Sequence, residues 1–249
     1  MISILCPTRN RPQQLARMVQ SVRETSRSGF VSRGGVEVLC YVDEDDTSDV
    51  SPADLVLRGP RMTHSAYYSL LAVLAHGDIL MMSGDDAIFR TPGWDKMVED
   101  AFAACPDKIL LVHGDDGCER GKSFATHPII SRRWVEITGR FTAPYFSGDW
   151  ADTWLNDIAN YLGRRLYLPF VNEHMHWMWG KAQRDATYVD TDARKAADNT
   201  ARIYRDKVFE RLADTDLLEA AMDKTWSIAD LGIDVVGPTL AQQLYGLQE

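Results

Sequence analysis

Two adjacent carboxylates, Asp85 and Asp86, follow a short apolar run at residues 79–82. The run has the length and density of apolar side chains typical of a strand buried on both faces. Open α/β sheets bind ligands at the carboxyl ends of their strands, where this pair would lie. An unpaired carboxylate is rarely buried, because its desolvation is costly. The pair is therefore either a divalent-cation site or a solvated turn, which Gly84 would favour.

A second acidic segment, residues 43–49, follows another apolar run at residues 36–42 and begins with Asp43. Further along, His174 and His176 follow an apolar run at residues 166–171. Residues two apart on an extended segment point to the same face, so either or both imidazoles could reach one cation. Carboxylates suit Mg²⁺ and Mn²⁺, and Mn²⁺ also accepts imidazole.

The elements that must position these groups alternate between strands and helices. Strands are predicted at residues 2–6, 36–42, 55–57, 79–82, 109–113, 124–130 and 166–171, and helices at 12–27, 65–75, 93–104, 132–138 and 153–162. This alternation predicts an α/β fold: a three-layer α/β/α sandwich with a mostly parallel central sheet, plus C-terminal helices. Its acidic loops are then expected to converge at one edge of the sheet.

Length and charge narrow the function classes. The chain has 249 residues and a net charge of −9, which gives no electrostatic footprint for non-specific nucleic-acid binding. No signal peptide and no membrane span are evident. Four scattered cysteines without CxxC spacing make a reduced, cytoplasmic protein the expectation. Residues 192–222 are charged and helical and are interpreted as a solvated face. The residues from Gly232 onward are interpreted as a tail or a partner-facing arm. Such an arm is compatible with a homo-oligomer.

Four motifs in order carry a resemblance to a known family. They are the strand ending in Pro7-Thr8-Arg9-Asn10, the acidic turn from Asp43, the apolar strand ending in Asp85-Asp86, and Gly148-Asp149-Trp150-Ala151-Asp152. Together they resemble the nucleotide-sugar glycosyltransferases of the GT-A fold, in particular the large inverting family-2-like group. The resemblance covers residues 2–185. It divides residues 1–190 into a nucleotide-binding half (1–90) and an acceptor half (91–190), with 191–249 as a helical extension.

The resemblance implies a role for each matched residue. Donor-binding residues would be Pro7, Thr8, Arg9, Asp43, Arg61, Asp85 and Lys181; metal ligands would be Asp85, Asp86, His174 and His176. The catalytic base would be Asp149, with Asp152 second, although an Asp at this place also caps helices. Two acids of the family pattern are replaced here, by Ser83 and Gly148.

The predicted activity is sugar transfer from a nucleoside-diphosphate sugar, a UDP-sugar being favoured, to an acceptor hydroxyl with a divalent cation as cofactor. The acceptor stays open between a saccharide and a modified nucleobase, among others. A nucleotidyltransferase is one alternative, although the segment after the first strand lacks its glycine-rich loop. A non-catalytic sugar- or nucleotide-binding module is another. Asp115 and Asp116, after a further strand, are equally compatible with an acceptor site and with a turn.

Overall fold

Strands and helices alternate along the computed structural model, which describes residues 1–27, 35–118 and 121–231. The strands of these ranges are β1 (Ile2–Thr8), β2 (Val36–Asp43), β3 (Leu55–Gly59), β4 (Ile79–Met82), β5 (Ala87–Phe89), β6 (Leu111–Asp115), β7 (Ile129–Ser131) and β8 (Arg165–His174). The helices are α1 (Pro12–Thr25), α2 (His64–Leu74), α3 (Trp94–Ala104), α4 (Arg132–Thr138), α5 (Ala151–Tyr161), α6 (Ala186–Asp198), α7 (Thr200–Asp206) and α8 (Val208–Ala221).

One sheet contains these strands in the order β3-β2-β1-β4-β7-β6-β8-β5. β1 is parallel to β2 and β4, β2 is parallel to β3, and β6 is parallel to β8. β7 runs antiparallel to β4 and β6, and β5 runs antiparallel to β8. The predicted α/β class with a mostly parallel sheet is confirmed.

Two apolar clusters cover the two faces of the sheet, because successive residues of a strand point to opposite faces. In β1, Ile4 packs into the cluster that contains residues of α1 and α3, whereas Leu5 packs into the cluster of α2, α4, α5 and α8. Both side chains are fully buried. Burial on both faces explains why the central strands are unbroken apolar runs rather than alternating patterns.

Residues 124–130 were predicted as one strand, but β7 begins only at Ile129. Before β7, the side chain of Asn156 forms the hydrogen bonds to Ala125 that a neighbouring strand would otherwise form. Its Oδ1 accepts from Ala125 N at 3.0 Å, and its Nδ2 donates to Ala125 O at 2.9 Å. This segment therefore satisfies its polar groups without extending the sheet.

The pairing of β5 with β8 places the acidic pair beside the late histidines. The sequence predicts one element over residues 77–89, whereas the structure has β4, a turn that contains Asp85 and Asp86, and then β5. β5 pairs with the end of β8 so that Ala87 lies opposite His174. This pairing extends β8 beyond the predicted end at residue 171 and brings His174 next to Asp86.

The C-terminal part folds back over the domain. α6 begins at Ala186, so the predicted boundary between residues 190 and 191 lies inside this helix. α8 packs on α4 and α5, where the buried Asp214 accepts from Arg140 at 2.9 Å and from Trp154 Nε1 at 3.0 Å. No helix within the described ranges is long and apolar enough to cross a bilayer. The predicted tail after residue 232 lies outside the described residues.

Candidate active site

A cavity of about 270 Å³ lies at the carboxyl ends of β1, β2 and β4, and α6 forms part of its wall. The structure brings most of the residues singled out in the sequence to this wall. They are Pro7, Thr8, Arg9, Asp43, Arg61, Asp85, Asp86, Asp149, Asp152, His174 and His176. Open α/β sheets use this edge for ligands, as the sequence motifs predict.

Lys181 is the singled-out residue that the structure does not bring to the cavity. Its Nζ donates to Glu173 Oε1 and to Gly117 O, each at 2.8 Å. The ammonium group thus links Glu173 of β8 to the backbone of Gly117, away from the cavity wall. A role for Lys181 in donor binding would require it to leave both partners.

Asp85 is buried at the base of the cavity. Its Oδ2 accepts from Thr8 Oγ1 at 2.7 Å, and its Oδ1 accepts from Arg11 Nη1 at 3.3 Å. Burial, together with the negative charge of Asp86, raises the pKa of Asp85 to about 7. A cation placed here would favour its ionised form.

Asp86 is held ionised by its neighbours. Tyr188 Oη donates to its Oδ2 at 2.7 Å, and His174 Nε2 lies 3.5 Å from its Oδ1. Burial opposes ionisation, but the hydrogen bonds and charge of His174, with Tyr188, outweigh it and hold the pKa of Asp86 below its ordinary value. Burial likewise disfavours a charged His174, yet Asp86 and the contact with Cys118 raise the pKa of His174 to about 10.

Arg11 lies against both acidic side chains, and the sequence motifs did not single it out. Its Nη1 is 3.3 Å from Asp85 and 3.9 Å from Asp86, and it forms a two-pronged ion pair with Asp185 at 2.7 and 2.8 Å. The guanidinium stacks on the Tyr188 ring, 3.9 Å from its centroid. The signal available in the sequence was its place two residues after Arg9, in the loop that follows β1.

Asp86 and His174 offer two donor atoms that one hard divalent cation could share, and Asp85 precedes Asp86 in the same turn. The 3.5 Å between Asp86 Oδ1 and His174 Nε2 is close to the separation of about 3 Å between two ligands of one Mg²⁺ ion. Carboxylate oxygens with one imidazole also match Mn²⁺. His176 also lines the cavity, where its Nδ1 accepts from Met178 N at 3.3 Å and its ring packs edge-on against Tyr188.

Asp43 forms the other end of the cavity. Its Oδ1 accepts from Tyr67 Oη at 2.5 Å, and its Oδ2 accepts from Arg9 Nη1 at 2.9 Å and lies 3.4 Å from Arg61 Nε. The Tyr67 ring stacks on Tyr41 with centroids 4.4 Å apart. A buried acid beside stacked aromatic rings can accept hydrogen bonds from the N–H groups of a planar base.

Asp149 and Asp152 occupy different environments at the start of α5. Asp149 is exposed, and its carboxylate is paired with Lys195 Nζ at 3.1 Å. Asp152 is less accessible, and burial, with the charge of Asp149 added, raises its pKa to about 6. Gly148 makes the Lys195 contact possible, because a Cβ there would lie 2.4 Å from Lys195 Cδ.

One face of α6 contributes side chains that the sequence motifs did not predict. Tyr188, Thr191, Asp192 and Lys195 share a face at helical spacing, and all four line the cavity. Residues 192–222 were interpreted as a solvated face; α6 has no buried residue, but Asp192 and Lys195 of this segment line the cavity. Its balanced charges are typical of a solvated helix, so the sequence held no signal for this position.

Two further histidines, His64 and His127, also line the cavity. Burial lowers the pKa of His64, and burial with the charge of His174 lowers the pKa of His127 to about 4. Both are therefore neutral near pH 7. Neither follows an acidic motif, and as single histidines in the sequence they carried no signal.

Comparison with solved structures identifies the fold. The full S. aureus TarS structure aligns at 9% identity and a TM-score of 0.52, over 69% of this chain and 36% of that one. Mannosyltransferase PcManGT from Pyrobaculum calidifontis, in complex with GDP-Man and Mn²⁺, aligns at 13% identity and a TM-score of 0.54. The alignment covers 88% of this chain and 73% of that one. The chain has the GT-A fold.

A third similar structure is glucosyl-3-phosphoglycerate synthase from Mycobacterium tuberculosis, in complex with Mn²⁺, UDP and phosphoglyceric acid. It aligns at 16% identity and a TM-score of 0.53, over 86% of this chain and 78% of that one. No protein-family model and no curated protein sequence matches the chain. The chain spans about a third of the full TarS chain, so the likeness concerns the GT-A region.

Proposed function

We propose that this chain is a metal-dependent glycosyltransferase that moves a sugar from a nucleoside-diphosphate sugar to an acceptor hydroxyl with inversion. The observation that carries the proposal is the cavity itself. It combines the buried acidic pair with His174 at one end, Asp43 at the other and Asp152 in the first turn of α5. The similar GT-A structures with GDP-Man or UDP and Mn²⁺ support the same donor class and a divalent cation.

The donor is oriented by the two ends of the cavity. Asp43 and Tyr67 bind the nucleoside, and Thr8 and Arg11 face the diphosphate beside the acidic pair. Asp85, Asp86 and His174 would hold a divalent cation, which would supply positive charge to the leaving diphosphate. Arg11 and Tyr188, which now contact those carboxylates, yield part of these contacts when the donor binds.

Asp152 is the base that the electrostatics favour, although the sequence pattern favours Asp149. A general base works best with a pKa near the working pH, and burial raises the pKa of Asp152 toward that range. The Asp149 carboxylate instead forms an ion pair with Lys195. In the proposed reaction, the acceptor hydroxyl gives its proton to Asp152 while its oxygen bonds to the anomeric carbon. The nucleoside diphosphate leaves from the opposite face, which inverts the configuration.

Calorimetric titration of UDP-glucose, UDP-GlcNAc and GDP-mannose, with Mn²⁺ and with EDTA, tests donor binding. We expect one donor to bind only with Mn²⁺, and Asp43→Asn to weaken this binding about tenfold or more, because a hydrogen-bonded buried charge is lost. Asp49→Asn is the matched control, since Asp49 is an exposed member of the same acidic loop. It should bind the donor as the parent protein does.

Two results would contradict the proposal. Absence of binding and of slow hydrolysis for every donor would reject a nucleotide-sugar enzyme. Binding without hydrolysis or transfer would instead favour the non-catalytic module.

A further inference from the structure

A second group of side chains that carry metal-ligand atoms meets at His174, which itself lines the cavity. Asp116 and Cys118 follow β6, and neither lines the cavity wall. One ligand atom from each of Asp116, Cys118 and His174 lies within 4.8 Å of the others. A carboxylate oxygen, a thiol sulfur and an imidazole nitrogen thus converge at one point.

The backbone pairing of the β6 loop with the end of β8 builds this group. His174 N donates to Asp116 O at 2.8 Å, and Cys118 Sγ lies 3.8 Å from His174 O. These contacts hold the two segments side by side.

The Asp116 carboxylate is buried, and the described residues form no ion pair with it. It is 4% exposed, and its oxygens accept from Cys118 N at 2.9 Å and Thr126 Oγ1 at 2.5 Å. Among the described residues, no Lys, Arg or His nitrogen lies within ion-pair distance of it. Buried carboxylates in proteins are paired with a cation or coordinate a metal, so this one calls for a positive partner.

The donor set selects the kind of cation. A thiolate favours Zn²⁺ over Mg²⁺ and Mn²⁺, and zinc sites with three protein ligands keep a fourth position for water. Zinc bonds of 2.0–2.3 Å place tetrahedral ligands about 3.5 Å apart. The ligand atoms here lie within 4.8 Å of one another, so side-chain movements of about 1 Å would bring them to that separation.

We propose that Asp116, Cys118 and His174 bind a thiophilic divalent cation, Zn²⁺, at a site that shares only His174 with the acidic pair of the cavity. Binding releases the thiol proton and one of the two imidazolium protons, and forms bonds from sulfur, nitrogen and oxygen to the metal without any redox change. His174 then has one lone pair, so the two cations compete for it. The proposal does not depend on the proposed transferase activity, because binding is measured without donor or acceptor.

Cobalt substitution of the full, reduced chain provides a direct readout. We expect one equivalent of Co²⁺ to give a near-ultraviolet thiolate-to-cobalt absorption band that Zn²⁺ abolishes. Cys118→Ser should lose the band, and Asp116→Asn should raise the dissociation constant for Zn²⁺ about tenfold or more. Asp115→Asn, the same substitution one residue earlier, is the matched control and should keep both the band and the affinity.

A measurement on the parent protein keeps the test independent of how the variants fold. Zn²⁺ should slow alkylation of Cys118 by iodoacetamide, followed by peptide mass spectrometry, whereas Mn²⁺ should not. Absence of the cobalt band in the parent protein, or an unchanged rate of Cys118 alkylation with Zn²⁺, would overturn the proposal.

Discussion

The pKa values of the cavity's carboxyl groups are shifted in opposite directions by their surroundings. Asp86 is kept ionised by His174 and Tyr188, whereas burial raises the pKa values of Asp85 and Asp152. An acid whose folded pKa exceeds its unfolded value makes the folded state less stable once it ionises. The cavity therefore stores unfavourable electrostatic energy at Asp152, next to the proposed reaction centre.

Asp152→Asn is expected to stabilise the protein above pH 6. The folded pKa is about 6 and the unfolded value about 3.9, so the parent protein loses stability as the pH rises between about 4 and 6. The variant avoids this loss, which amounts to at most about 3 kcal/mol of unfolding free energy. Urea unfolding at pH 4, 6 and 8 measures the difference, and the same variant should have lost sugar transfer.

Asp149→Asn serves as the comparison. Asp149 is exposed and paired with Lys195, so its variant should gain less stability above pH 6 than Asp152→Asn does. A variant of Asp152 that is no more stable than the parent at pH 8, or one with full transfer activity, would contradict this interpretation.

At the scale of elements, α6 forms part of the cavity wall and contacts residues at its base. Its N-cap residue Asp185 holds Arg11, Thr187 donates to Arg9 O at 3.0 Å, and Tyr188 donates to Asp86. Lys195, two turns along, holds Asp149. The helix is thus attached to the base of the cavity by polar contacts rather than by an apolar core, since none of its residues is fully buried.

Tyr188→Phe is expected to tighten Mn²⁺ binding about tenfold. The substitution removes the phenol from the Asp86 carboxylate, so the cation no longer displaces a hydrogen bond to a charged group. The ring that stacks on Arg11 is retained. Calorimetric titration of Mn²⁺ without donor measures the change.

Tyr161→Phe is the control for this prediction, because Tyr161 is 54% exposed at the end of α5. It should bind Mn²⁺ with the affinity of the parent protein. Unchanged or weaker Mn²⁺ binding by Tyr188→Phe would show that the phenol does not compete with the cation.

At the scale of the whole molecule, the C-terminal helices are tied to the sheet by buried polar links. Asp214 of α8 accepts from Arg140 after α4 and from Trp154 of α5, three segments that are distant in sequence. Arg164, also buried, connects the other face through Asp107 at 3.0 Å and the Asp223 carbonyl at 2.9 Å. Loss of one partner leaves the other buried and unpaired, which costs more than the pair contributes.

Asp214→Ala should lower the free energy of unfolding by about 3 kcal/mol, because Arg140 and the Trp154 N–H lose their shared acceptor. For a chain of this length, that corresponds to a fall in melting temperature of about 6–12 °C. Asp216→Ala, an exposed site on the same helix, should change it little. Equal melting temperatures for the two variants, by calorimetric scanning, would refute the role of Asp214.

The sequence by itself determined the α/β class and the acidic loops that face the cavity. Strand and helix periodicities are local, and parallel strands place their carboxyl ends at one edge, so Asp43, Asp85 and Asp86 could be expected to converge. The late histidines were also predicted from their place after a strand. The GT-A fold expected from the motifs is the fold observed.

Only the tertiary structure decided what surrounds those acids. Arg11 and Asp185 are 174 residues apart in sequence, and Tyr188 and Asp86 are 102 apart. No local pattern encodes such contacts, because a helix with balanced charges is compatible both with solvent and with a polar cavity. The pairing of β5 with β8 brings His174 between Asp86 and Cys118. These strands are far apart in sequence, and the periodicity of each strand does not predict which strand it pairs with.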